Sequence, residues 1–133
     1  MLLAILMFAG CRPQSEEYFI LQKNAPGGVY RYTVHLNSDE TYDFSFYTRI
    51  ENPSGEKVSP SGQIPIYVVW VPPTAEVEGL EEMVYMDPSC TSCLYRTGVS
   101  PKVSGDWTLE VFPAYVPEGF EGFGLVCKYN GTR

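Results

Sequence analysis

One histidine, four cysteines and a run of acids are the residue types in this chain that could do chemistry. His35 alternates with Arg31 and Thr33 along one polar face. A catalytic imidazole needs a nucleophile and an orienting acid in reach. No Gly-x-Ser-x-Gly turn or comparable nucleophile elbow supplies one. Cys90-Thr91-Ser92-Cys93 has C-x-x-C spacing, which does redox work at the start of a helix, where the helix N-terminus lowers the thiol pKa. Pro88 precedes the pair and strand-like residues follow, so that context is missing. Cys90, Cys93 and Cys127 with a single histidine do not give the two paired spacings of a zinc site. Glu76, Glu78, Glu81, Glu82 and Asp87 have no base between them, and their spacing matches no EF-hand loop. Solvated like charge is the expectation there, with no metal, no cofactor and no enzyme activity.

The fourth cysteine stands in a different context. Residues 1–10 read MLLAILMFAG, uncharged and apolar, and Cys11 follows at once. Ten residues are too few to cross a bilayer, which takes about 20; the length suits the hydrophobic centre of a secretory signal peptide. Phe8-Ala9-Gly10-Cys11 ends like a bacterial lipobox, in which small residues precede the cysteine that is acylated. Two or more acyl chains anchor stably, whereas one binds only marginally. Cys11 is therefore the expected lipidation site. A signal normally opens with Lys or Arg, and none precedes Arg12; a start upstream of Met1 would supply one. Residues 11–17 form the lipidated cysteine and a short tether. Gln14-Ser15-Glu16-Glu17 resembles the acidic stretch that sends many Bacteroidetes lipoproteins to the cell surface, and is equally a solvated linker. With Cys11 acylated, three thiols remain in an oxidising envelope. One disulfide can form: Cys90–Cys93 is the first choice and Cys93–Cys127 the second.

Bulk properties bound the rest of the chain. The 133 residues suit one domain. A net charge of −7 disfavours unselective nucleic-acid binding, which needs clustered Lys and Arg. Aromatic residues at 14% and charged residues at 19% exclude a disordered chain.

The elements that must position these residues are strands. Tyr30, Tyr32, Val34 and Leu36 share one face of a period-two segment over 29–36. Tyr42, Phe44, Phe46, Thr48 and Ile50 do the same over 42–50. The link Asn37-Ser38-Asp39-Glu40 is turn-forming, so the pair makes a hairpin or a sheet-to-sheet arch. Residues 64–71 (IPIYVVWV) are apolar on both faces and predict a central strand covered on both sides. Further strands are expected at 18–22, 81–86, 107–112 and 123–129, with a short one at 94–96. No stretch sustains a 3.6-residue pattern. Seven or eight short strands predict an all-β fold, an antiparallel β-sandwich over residues 18–133 behind the signal segment. Trp107, with Leu109 and Val111, points into its core. Gly124 marks a place where a facing backbone or aromatic ring comes close. Tyr47, on a polar face, with Tyr115 and Phe120 before the last strand, could form a stacking platform for a glycan or a protein partner. The alternative is that Phe120 simply covers the sandwich edge.

Several motifs occur in a suggestive order: Tyr42-Asp43-Phe44-Ser45-Phe46, then Ile66-Tyr67-Val68-Val69-Trp70-Val71-Pro72-Pro73, then Tyr95-Arg96-Thr97-Gly98-Val99, then Gly105-Asp106-Trp107-Thr108-Leu109-Glu110-Val111, and finally Gly119-Phe120-Glu121-Gly122-Phe123-Gly124-Leu125. Over about residues 30–130 this order resembles small Bacteroidetes lipoproteins and, more distantly, is similar to the GldH-type gliding-motility lipoproteins. The resemblance implies a β-sandwich, a lipid anchor and no established enzyme activity, and brings no functional residues with it. The expected function is a lipid-anchored envelope protein of the outer membrane with a non-catalytic accessory or structural role through protein–protein contact. The alternative is a glycan-binding surface module.

Overall fold

The structure is a computed structural model that describes residues 15–51, 63–87 and 91–132. Cys11, the apolar run before it and Cys90 lie outside the described residues. Eight strands are described: β1 (Ser15–Leu21), β2 (Tyr30–Leu36), β3 (Glu40–Ile50), β4 (Ile64–Val71), β5 (Leu80–Met86), β6 (Cys93–Val99), β7 (Gly105–Pro113) and β8 (Phe120–Thr132). They form two four-stranded sheets in the orders β1-β8-β3-β6 and β2-β7-β4-β5, and every pairing is antiparallel. The fold is an all-β sandwich.

The order has a simple logic. The strand pairs 1 with 8, 2 with 7, 3 with 6 and 4 with 5 are those of one long hairpin whose tip is β4–β5. Coiling that hairpin into two layers adds the contacts of β8 with β3 and β7 with β4. This is the strand order of an eight-stranded jelly roll. Only the β4–β5 connection stays within one sheet; the others cross between layers. The link 37–39 is accordingly an arch, not a hairpin. Tyr42 closes it: its hydroxyl accepts from the Asn37 backbone N–H at 2.9 Å and donates to Glu40 at 2.8 Å.

Period two does what the sequence demands. β2 alternates buried and exposed without exception, and β3 buries Tyr42, Phe44, Phe46 and Thr48. Facing them are Ile64, Ile66, Val68 and Trp70 of β4, Trp107, Leu109 and Val111 of β7, and Phe123, Leu125 and Cys127 of β8. One buried hydroxyl ties the two layers together. Tyr32 of β2 donates to the backbone carbonyl of Phe123 in the other sheet at 2.7 Å. A buried hydroxyl without a partner would cost about 1–3 kcal/mol. Burial pushes the Tyr32 pKa far up, so it keeps its proton.

Three expectations are corrected. Ser15, Glu16 and Glu17, assigned to the tether, form the start of β1 and pair with Lys128, Cys127 and Val126. Backbone pairing to the long β8 carries the strand outward past the last apolar residue, because an edge strand tolerates polar side chains. β4 is covered on one side only: Pro65, Tyr67 and Val69 are half-buried and Val71 is exposed. The segment expected to be short at 94–96 is the seven-residue β6. In β8, Arg49 pairs with Gly122 but Ile50 pairs with Phe120. This bulge at Glu121 puts Phe120 and Phe123 both inside, which strict alternation does not allow.

Candidate functional site: the open edge and its cleft

The two sheets do not close on each other along the side where β5 and β6 run as edge strands. Glu82 of β5 reaches across that side. Its carboxylate accepts from Arg96 Nε at 2.7 Å and Arg96 Nη2 at 2.8 Å, a two-pronged pairing that fixes direction as well as distance. The Tyr95 hydroxyl also donates to Glu82 and itself accepts from Trp70 Nε1 at 2.8 Å. The Arg96 hydrogen bonds, with help from Tyr95, hold the Glu82 carboxyl below its usual range. Burial, and then the bond to the Glu82 carboxylate, push the Tyr95 pKa far up.

Beside this latch lies a cleft of about 530 Å³. Trp70 and Trp107 line it, their rings edge to face at 6.4 Å. Glu78 and Leu80 come from the β4–β5 side, and Arg96 and Lys102 from the β6–β7 side. The volume falls within the range of small-ligand sites. The chain positions it by topology. The arch 37–39, the turn 72–79, the link 100–104 and the start of β1 all lie at one end of the sandwich, because Leu36 pairs with Gly105, Trp70 with Leu80, and Ser15 with Lys128, which in turn pairs with Asp43.

The outer face of the β2-β7-β4-β5 sheet divides in two. Towards the arch end it is polar: Arg31 pairs with Glu110 at 2.8 Å and His35 with Asp106 at 3.0 Å. Towards the opposite end it is apolar. Met83, Tyr67 and Phe112 form one cross-strand row, with the Tyr67 and Phe112 rings 5.9 Å apart, and Tyr85 lies beside Pro65. Met83 is 52% exposed and Tyr85 64%.

The sequence-expected platform does not assemble. Phe120 is buried in the core, edge to face with Tyr30 at 6.2 Å. Tyr115 is exposed on the 114–119 link and donates to the Gln63 carbonyl at 3.2 Å. Tyr47 lies on the outer face of the other sheet, stacked on Phe19 at 5.8 Å. The bulge at Glu121 turns Phe120 into the core between the two sheets. Gly124 behaves as expected: a Cβ there would run into the Tyr47 ring.

Cys93 is disulfide-bonded, whereas Cys127 is a buried thiol. The second-choice bridge, Cys93–Cys127, is therefore absent; Cys90 of the first choice lies outside the described residues. The acidic run is divided up. Glu81 accepts from the Tyr67 hydroxyl, Glu82 joins the latch and Glu78 lines the cleft. Among the described residues no group of three or more His, Cys, Asp or Glu is placed to hold a metal ion. No helix among them is long and apolar enough to cross a membrane. The sequence reasoning missed the cleft. Trp70 and Arg96 lie 26 positions apart, and only the crossing from β5 to β6 brings them together. Neither protein-family models nor curated proteins match the chain.

Proposed function

We propose that this protein is a lipid-anchored component of a Gram-negative cell envelope, held at the outer membrane through Cys11 and acting without catalysis through contact with an envelope protein. The motif Phe8-Ala9-Gly10-Cys11 supports the anchor. The resemblance of residues 30–130 to small Bacteroidetes lipoproteins supports the setting. The observation that carries the contact is the apolar row at Met83, Tyr67 and Phe112, next to β5, which among the described residues is the edge strand of its sheet. β5 keeps an unbroken register with β4 and has neither Lys nor Pro along it. Such an edge is a template for strand addition by a partner. The glycan alternative loses its aromatic platform, which is dispersed, and keeps the cleft as a place to bind.

The test is affinity capture of the intact lipoprotein from its native membrane, run beside a Met83→Glu/Tyr85→Glu variant. Both side chains are exposed, so the fold survives the change. The proposal expects one or more envelope proteins to co-purify with the wild type and to be lost from the variant. Identical capture by both would refute the β5 face as the contact.

A further inference from the structure

We infer that the arch end of the sandwich, with the Trp70–Trp107 cleft, faces the bilayer and that the cleft receives the headgroup of a zwitterionic phospholipid. The inference rests on the proposed Cys11 anchor. Cys11 and Ser15 are four residues apart in sequence, and β1 is already paired with β8 at Ser15. Fully extended, four residues span at most about 14 Å. β8 has 13 residues, about 44 Å of strand. An anchor on so short a lead holds the near end of the strands at the lipid surface, and that is the end with the cleft. The apolar row on β5, β4 and β7 lies farther from the lipid surface, turned towards a partner in the aqueous space.

The chemistry of the cleft fits what the bilayer presents. Lys102 on one loop and Glu78 on the other are both exposed, and neither makes an ion pair with another described residue. A zwitterionic headgroup brings a phosphate for the ammonium of Lys102 and a cationic amine for the carboxylate of Glu78. Trp70 and Trp107 line the cleft from the core side, only 5% and 6% exposed, so the Glu78 carboxylate is the partner for the amine. An anionic membrane is the poorer match. The chain carries a net charge of −7, and Asp39, Asp43, Asp106 and Glu16 surround the same end.

The chain's two tryptophans both line the cleft, so their emission reports on it. The full lipidated protein is placed in phosphatidylcholine vesicles, a fraction of whose lipids carry a nitroxide on the headgroup, and attachment is followed by flotation. The expected result is strong quenching of tryptophan emission, roughly halved in Lys102→Glu while flotation is unchanged. Flotation without quenching overturns the orientation and leaves the anchor standing. Equal quenching in Lys102→Glu overturns headgroup capture. Failure of the wild type to float removes the anchor, and this inference with it.

Discussion

Glu82 and Arg96 lock the open side of the sandwich, one from the edge of each sheet, through two hydrogen bonds of 2.7 and 2.8 Å. Edge strands are the least supported part of any sheet. Here a charged pair, backed by Tyr95 and Trp70, replaces the backbone ladder that would otherwise close the layers.

The latch makes stability depend on acid. The Glu82 carboxyl sits below its usual range because Arg96, and then Tyr95, hydrogen-bond to its charged form. A depressed folded-state pKa adds stability that is fully present above the unfolded-state value and is lost as pH falls through the folded value. The contribution is thus intact at neutral pH and disappears below about pH 4, the ordinary carboxylate range. Because the pair is partly exposed, Glu82→Gln should cost only about 1 kcal/mol at neutral pH. Urea unfolding from pH 7 down to pH 3 should show wild type and variant converging at the acid end. Parallel curves would contradict the role given to Glu82.

A second prediction concerns the outer face of the β1-β8-β3-β6 sheet. Tyr47 covers Gly124 and stacks on Phe19, over which Arg49 sits at 4.5 Å from the ring centre. Any side chain at Gly124 meets the Tyr47 ring. Gly124→Ala should destabilise by about 1–3 kcal/mol, the usual cost of overpacking. Adding Tyr47→Ala should recover part of that loss, and a thermal-melt double-mutant cycle reads the coupling. Strictly additive losses would mean that the ring does not rest on the glycine.

Trp107 and His35 should behave as opposites. Trp107 is 6% exposed, with Nε1 donating to the Val103 carbonyl at 3.1 Å. Trp107→Ala should cost about 3–5 kcal/mol and lower the melting temperature sharply or prevent soluble expression. The His35 side chain is 66% exposed and pairs with the similarly exposed Asp106. His35→Ala should change stability by no more than about 0.5 kcal/mol and leave partner capture intact. An intact fold with capture abolished would move the contact surface to the Arg31–His35 face.

Much of the fold is legible because its signal is local. Period-two alternation places the inward faces of β2 and β3, and the link Asn37-Ser38-Asp39-Glu40 admits the arch that forms. Gly124 announces a close approach and Tyr47 makes it. What is lost is whatever depends on pairing across the chain. Which strands share a sheet follows from how the long hairpin coils, and no residue of β1 names β8 as its partner. The start of β1 is hidden because Ser15, Glu16 and Glu17 owe their strand conformation to β8, not to their own side chains. Sequence pattern places Phe120 beside Tyr47 and Tyr115, because the bulge at Glu121, which turns it inward, leaves no mark in an alternation pattern. The cleft joins residues from β4, β5, β6, β7 and two loops, so its cations and indoles look unrelated in the linear order.

The most direct measurement is metabolic labelling with palmitate, with membrane fractionation, of the wild type and of Cys11→Ser. The wild type should incorporate label and sediment with membranes. Cys11→Ser should incorporate none and appear in the soluble fraction still folded, because the residues described from Ser15 onward pair into both sheets and pack a shared core. Unchanged membrane retention of Cys11→Ser, or no label in the wild type, would contradict a lipid-anchored protein.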